Sequence, residues 1–486
     1  MISITMKMIN RMTIVALSLL GFFLCAANVT AMDNFKSLGQ PNILFILVDD
    51  LRTELPVYGK DHIVAPNIDR LANESVVFQN AYVNVPVCGA SRASMMTGVR
   101  PTESRFVGYQ ARMDEDAPEA IPLFTLLKDN GYFTQSIGKV MHFSDDSKEG
   151  WSVPIWHPRL ALARGQGTGH RNYQLEQNIR SFKKNRKGPA YESADVPDNA
   201  YYDGQITDHA IEALEEFKNA GQPFFLTVGF LKPHLPFNAP KKYWDLYDPA
   251  KLALSDNPFL AEGMPKQARH SWGEMRKYVG VPKSPDLMPD DLALKLMHGY
   301  YAGVSYIDAQ VGMVMDALRA NGLEENTIVV FAGDHGFFLG EHGFWAKHSP
   351  FDLATHTPLM VKLPGNEVSG SSEGLVEFVD IYSTIVDLLD IEPPSQLQGS
   401  SFAPLLHDLQ APGKEAVYPR WQKGEVIKTE QYAMTEWFGK NGRVQARMLY
   451  DHSNDRAENN NLANDPAYKK IVDSLHQKLK IMMENR

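Results

Sequence analysis

Positive charge is in short supply: 48 Lys and Arg stand against 58 Asp and Glu, a formal net charge of -10. That balance argues against a nucleic-acid partner. Long apolar runs are also missing. The candidate from Thr13 to Ala26 falls short of the ~20 residues that span a bilayer. It follows Lys7 and Arg11 and precedes Val29-Thr30-Ala31, where small residues suit a signal peptidase. Residues 1–31 are therefore read as a cleaved signal peptide, with the mature protein periplasmic or extracellular and no stable membrane insertion expected. No internal repeat or low-complexity tract stands out, and 44% hydrophobic residues is an ordinary globular content, which excludes disorder.

Cysteine is almost absent. There are two, Cys25 and Cys88. The bulky Phe22-Phe23-Leu24 before Cys25 fits poorly with lipoprotein processing, and Cys25 leaves with the signal. The mature chain then keeps one thiol and can form no intramolecular disulfide. A lone thiol in an oxidising compartment is a liability for mispairing and oxidation. Taken by itself, Cys88 is most simply a buried small hydrophobe; its neighbours decide otherwise.

What is present is an α/β alternation. Ile43 to Val48 is an uninterrupted apolar run between Pro41 and Asp49, as expected of a buried parallel strand. A short helix over Pro66 to Glu74 leads to a strand over Val76 to Tyr82. A helix over Pro122 to Asn130 stops at Gly131 before a strand over Phe133 to Ile137. An amphipathic helix over Ile206 to Asn219 precedes a strand over Phe224 to Phe230, and a long helix ending at Asn321-Gly322 precedes one over Thr327 to Phe331. Polar stretches over 143–202, with Gly165, Gly167 and Gly169, and over 255–290 read as long loops, candidate walls of a pocket. After Ala411 the alternation stops. The chain divides into a catalytic domain over 32–411 and a C-terminal α+β subdomain over 412–486.

Reactive side chains follow the carboxyl ends of the expected strands: Asp49-Asp50, Lys139 with His142, His234, and Asp334-His335. Ligands bind outside those ends in an open parallel sheet, so the four segments are expected to share one crevice. An adjacent Asp pair is otherwise often a solvated turn. Three carboxylates, Asp49, Asp50 and Asp334, make an oxygen-rich site suited to Ca2+, with Mg2+ second, and His335 adds a nitrogen.

The most specific string is Val87-Cys88-Gly89-Ala90-Ser91-Arg92, followed by Thr97-Gly98. It resembles the signature of the type I sulfatases, C-x-P/A-S-R with a later T-G, in which the cysteine is oxidised to formylglycine. The resemblance runs from Pro41 to the Leu449-Tyr450-Asp451 and Asn461-Leu462-Ala463 turns. Gly138-Lys139-Val140-Met141-His142, Lys232-Pro233-His234-Leu235-Pro236-Phe237, Asp334-His335-Gly336, Gly340-Glu341-His342-Gly343 and Trp345-Ala346-Lys347 place it nearest the iduronate-2-sulfatase-like branch. Many other sulfatases have Asn where His335 stands.

The resemblance implies an alkaline-phosphatase-like sandwich, a large mixed and mostly parallel sheet between helices, and a sulfuric ester hydrolase acting on sulfated carbohydrate. It implies maturation of Cys88 by a formylglycine-generating or an anaerobic enzyme. One hydroxyl of the formylglycine hydrate takes the sulfuryl group, and loss of a proton from the other expels sulfate, a hard displacement split into two easier ones. Cys88 joins Asp49, Asp50, Asp334 and His335 around the metal. Arg92 braces these groups, Lys139 and Lys347 hold the sulfate oxygens, His142 takes the hydrate's proton, and His234 protonates the leaving alkoxide. Glu341, His342 and His356 either line the pocket or order a loop.

A phosphatase or phosphonate monoester hydrolase shares such a fold. Those enzymes commonly use Ser or Thr with a second metal, whereas Cys88 in its C-x-A-S-R setting favours sulfate. A catalytically inactive carbohydrate-binding homologue would not need Cys88, Lys139, His142, His234 and Lys347 together. Phe337 and Phe338 stand where the iduronate-like branch often has Trp, which leaves a sulfated uronate, rhamnose, galactose and amino sugar all open.

Overall fold

The computed structural model describes residues 40–158, 171–365 and 368–486. The expected signal peptide and the Gly165, Gly167 and Gly169 cluster lie outside the described residues.

Every residue of β1 (Asn42–Val48) is buried, and successive side chains enter different cores. Leu44, Ile46 and Val48 join one apolar cluster, while Ile43, Phe45 and Leu47 join another. A strand of apolar residues on both faces needs a layer on each side. Around it lie β2 (Val76–Phe78), β3 (Phe133–Gly138), β4 (Phe224–Phe230), β5 (Thr327–Gly333), β6 (Leu359–Lys362) and β7 (Gly370–Ser372). The order across the sheet is β7-β2-β6-β5-β1-β4-β3. β6 is antiparallel to β5 and β2, while the other pairings are parallel. The sheet is thus mixed and mostly parallel, as expected.

The two faces are covered by different helices. α1 (Cys88–Thr97) and α4 (Val379–Leu388) pack in the cluster of Ile43, and α2 (Tyr202–Phe217) and α3 (Asp290–Ala320) in that of Leu44. Beyond this sandwich, β8 (Arg420–Trp421), β9 (Gly424–Lys428), β10 (Tyr432–Phe438) and β11 (Val444–Asp451) form an antiparallel sheet in sequential order. α5 (Lys469–Glu484) packs Val472, Leu475 and Leu479 against Ile427, Met434 and Leu449.

Two expectations need correction. The stretch over 143–202 is not one irregular loop: Glu176–Asn185 is a helix buried through Ile179 and Phe182, and Tyr191–Ala194 pairs in parallel with Phe237–Pro240. The helix is strongly polar, so its two apolar residues carried little signal. The strand expected over Val76 to Tyr82 breaks at Gln79 and Asn80, and Ala81–Tyr82 joins Val376–Glu377 in another sheet. By contrast 255–290 is irregular up to the start of α3 at Asp290, with short 3-10 turns at 266–268 and 275–277 and isolated bridges at Glu262 and Val279.

One close approach positions a site residue. The Lys139 N–H donates to the Gly229 carbonyl at 2.7 Å, and a Cβ on Gly229 would lie 2.1 Å from the Lys139 oxygen. Gly229→Ala must push the Lys139 turn away, and we expect a loss of about 1–3 kcal/mol. Urea unfolding checks this; an unchanged midpoint would show that the turn yields freely.

Candidate active site

Asp49 and Asp50 leave the carboxyl end of β1, and Asp334 and His335 leave that of β5 beside it. The ladder continues into the site: Asp334 N donates to Val48 O at 3.0 Å and Asp49 N to Phe230 O at 3.1 Å. Asp50, at φ 61, donates its N–H to Asp334 Oδ1 at 3.0 Å, which ties the two turns together. All four side chains are buried.

Cys88 is the first residue of α1, after extended Val87. The helix end places partial positive charge beside the sulfur. Arg92, one turn on, shares that face. Its Nε donates to Asp334 Oδ2 at 2.9 Å, its Nη2 lies 3.3 Å from Asp49 Oδ1, and its Nη1 donates to the carbonyls of Lys139 and Val140. Ser91 Oγ donates to Asp334 O at 2.6 Å. Gly98, at φ 65, takes the left-handed turn that ends the helix.

Ligand atoms of Asp49, Cys88, Asp334 and His335 all lie within 4.8 Å of one another. His335 Nδ1 is occupied by Gly336 O at 2.9 Å, whereas its buried Nε2 has no hydrogen-bond partner among the described residues. That nitrogen sits 3.4 Å from Asp50 Oδ1 and 3.5 Å from Asp334 Oδ1. An orphaned nitrogen among buried carboxylates fits a divalent cation. Burial pushes Asp334 up to about 7, with Asp49 and Cys88 adding to it against His335 and Arg92.

The cations sit around this cluster. Lys139 Nζ pairs with Asp49 Oδ2, and Lys347 Nζ lies 2.8 Å from Asp50 Oδ1. Burial works to raise the Cys88 thiol, yet Lys139 and Lys347 hold it well below its usual range, and His142 works in the same direction. His234 Nδ1 donates to Leu235 O at 2.6 Å, which leaves Nε2 toward the site, 3.8 Å from Asp50 Oδ2. Burial disfavours its charged form, but Asp50 and Asp49 outweigh that and raise it above the ordinary imidazole value.

The structure thus brings all of the expected residues together: Asp49, Asp50, Cys88, Arg92, Lys139, His142, His234, Asp334, His335 and Lys347. Glu341, His342 and His356 order their surroundings. Glu341 pairs with Arg52 at 2.7 Å and accepts from Leu339 N, His342 is buried, and His356 faces Gln79 O at 2.8 Å. Two residues escaped the sequence reading. Lys232 Nζ donates to the carbonyls of His234 and Pro236, both at 2.7 Å, and so shapes the turn that presents His234. Glu274 bridges His234 Nε2 at 3.0 Å and Lys347 Nζ at 2.9 Å. Lys232 lay inside a quoted string; Glu274 had no local signal at all.

Comparison with known proteins decides the family. The sulfatase family pattern matches residues 41–391, and a pattern described as N-sulphoglucosamine sulphohydrolase, C-terminal, matches 340–485. The chain belongs to the sulfatase family. It is a sulfuric ester hydrolase. Iduronate 2-sulfatase of Mus musculus is 32% identical, over 94% of this chain and 97% of that protein. The sulfatase fold also superposes on a protein solved with its substrate D-glucosamine-2-N,6-O-disulfate, at TM-score 0.74 and 23% identity, covering 92% of this chain and 98% of that one. Phosphonate monoester hydrolase from Silicibacter pomeroyi superposes at TM-score 0.73 and 23% identity, covering 92% and 96%. At that identity the two superpositions speak for the fold and not for the ester cleaved. No helix among the described residues is long and apolar enough to cross a membrane.

Proposed function

We propose that this sulfatase is exported and removes sulfate from a sulfated oligo- or polysaccharide, using a formylglycine made from Cys88 by a maturation enzyme. The observation that carries this reading is the convergence of Cys88 with Asp49, Asp334 and His335 at the start of a buried helix, ringed by Lys139, Lys347 and His234. The iduronate in the name of its 32%-identical relative supports a sugar substrate. The rival phosphonate reading rests on shape alone.

Asp49, Asp50, Asp334 and His335 would hold the divalent ion, calcium before magnesium, since three of the four donors are carboxylates. When bound, that ion supplies positive charge to the sulfate oxygens and the nucleophile. The chain's own residues do the rest. Lys139 and Lys347 carry charge for the same oxygens, with Arg92 holding Asp49 and Asp334 in place. The matured side chain supplies an attacking hydroxyl where the sulfur now sits, and His142, which acts on that sulfur electrostatically, accepts the proton of the second hydroxyl. His234 Nε2, on an imidazole biased toward its protonated form, gives a proton to the departing oxygen.

His234→Ala is expected to lower turnover of sugar sulfates by about 10²- to 10⁴-fold, and of an aryl sulfate by less than ~10-fold, because a phenolate departs without an acid. Equal losses on both would remove His234 from that role. Sulfate release from a panel of defined sulfated oligosaccharides tests the substrate class. Reacting groups buried at the strand ends favour terminal sugar units, and rapid desulfation of internal units in intact polymer would contradict that.

A further inference from the structure

Glu274 belongs to none of the strings that mark the family in this sequence, yet it stands at the reacting centre. Its carboxylate spans two groups with roles in the reaction, His234 Nε2 at 3.0 Å and Lys347 Nζ at 2.9 Å. Since His234 Nδ1 is taken by Leu235 O, Nε2 is the nitrogen that must face the ester. The glutamate therefore sits where the alcohol side of a substrate has to arrive. It is not a stray surface group. Its side chain is 22% exposed, while His234 and Lys347 behind it are 8% and 1% exposed, so it lies on the open side of the pair.

The segment that carries it is braced. Met275 is fully buried in the core cluster, and the Arg276 guanidinium lies 3.3 Å over the Trp272 ring. That guanidinium also donates to Pro282 O at 2.7 Å and Asp286 O at 2.9 Å. A carboxylate held this way keeps its place when a ligand enters. The neighbouring wall offers little to offset a second anion: His270 and His348 lie ring to ring at 5.4 Å, and burial pushes them down to about 3 and about 4, so both are neutral.

We propose that Glu274 is a specificity-determining residue, whose carboxylate accepts hydrogen bonds from hydroxyl or amino substituents of the sugar and disfavours a sugar carboxylate. This rests on the carbohydrate reading of the site and narrows it to neutral and amino sugars. The physical basis is the charge inventory. Lys347 and His234 are shared among Asp50, Glu274 and the incoming sulfate, and a uronate would add a fourth anion to the same two cations. A hydroxyl or ammonium group instead supplies the donor that Glu274 needs once Lys347 turns to sulfate.

The test uses the matured, metal-loaded enzyme and a matched pair of pyranoside sulfates that differ only in CH2OH against carboxylate. The wild type is expected to favour the uncharged sugar in kcat/KM by on the order of tenfold, the scale of a partly solvated like-charge contact. Glu274→Gln keeps the shape and removes the charge, and is expected to erase the preference chiefly by lowering KM for the uronate. Glu274→Asp is expected to restore part of it. An aryl sulfate, which has no sugar substituents, reports separately what Glu274→Gln does to Lys347, His234 and the reacting centre, while the ratio between the two sugars cancels any loss common to both. A wild-type preference for the uronate, or a ratio between the two sugars that is the same in Glu274→Gln as in the wild type, would overturn the proposal. Aryl turnover with neither sugar cleaved would instead strike the carbohydrate reading.

Discussion

Cys88→Ala is expected to lower sulfate-ester turnover by roughly four to six orders of magnitude, the scale seen when a nucleophile is removed from a preorganised site. The more telling variant is Cys88→Ser. It keeps an oxygen nucleophile at the start of α1, beside Lys139, His142 and Lys347, but a serine without an oxidising maturation step forms no aldehyde and cannot expel sulfate through a hydrate. We expect it to be inactive or to stop after a single sulfation. Active wild-type protein should carry a residue about 18 Da lighter than cysteine at position 88, the change for a thiol becoming an aldehyde. Intact-mass and peptide spectra, read beside turnover, check both statements. Fully active protein with an unmodified Cys88 would falsify the mechanism.

Asp334→Ala is the second large effect, with turnover expected to fall by about 100-fold or more together with loss of the bound divalent ion. Its carboxylate has three duties in the structure: one oxygen accepts from Asp50 N, the other from Arg92 Nε, and the group contributes an oxygen to the cluster with Cys88 and His335. Asp334→Asn separates these. It keeps an oxygen for the Asp50 N–H while removing the charge, so metal and activity should go while the fold stays. Metal content after dialysis, melting temperature and turnover are the readouts. Full activity after exhaustive chelation would remove the ion from the reaction.

A pH dependence accompanies this. Without metal, burial pushes Asp334 up to about 7. An ion must therefore compete with a proton below that pH, so affinity for the ion should fall as pH drops through 7 and level off above it. The folded group binds its proton more readily than an unfolded aspartate does, so in the metal-free protein it opposes folding at high pH and ceases to do so as pH falls. The stabilisation given by added calcium should be larger at pH 8 than at pH 6. Thermal melts with and without the ion at both values check the sign.

Much of the site was legible because its residues lie within a few positions of strong local signals. Asp49 and Asp50 follow an apolar run buried on both faces, and Asp334 follows another, so their meeting is a property of neighbouring parallel strands. The Cys88 string was recognisable as a string. The helix it begins was not, because every residue of Cys88–Thr97 is buried and no polar face marks a period. The helix Glu176–Asn185 failed in the opposite way, being too polar to show its two buried residues against the background.

The sequence by itself determined the buried strands, the lone thiol in its signature and the order in which acids and histidines leave the strand ends. These are matters of nearest neighbours and period, which a chain carries locally. Only the tertiary structure decided which charge faces which. Lys347 meets Asp50 across 297 positions, Arg92 meets Asp334 across 242, and Glu274 reaches both Lys347 and His234 from a stretch with no period of its own. Such pairings depend on the packing of whole elements and on which buried charge is left without a partner, and neither leaves a trace in the residues beside it.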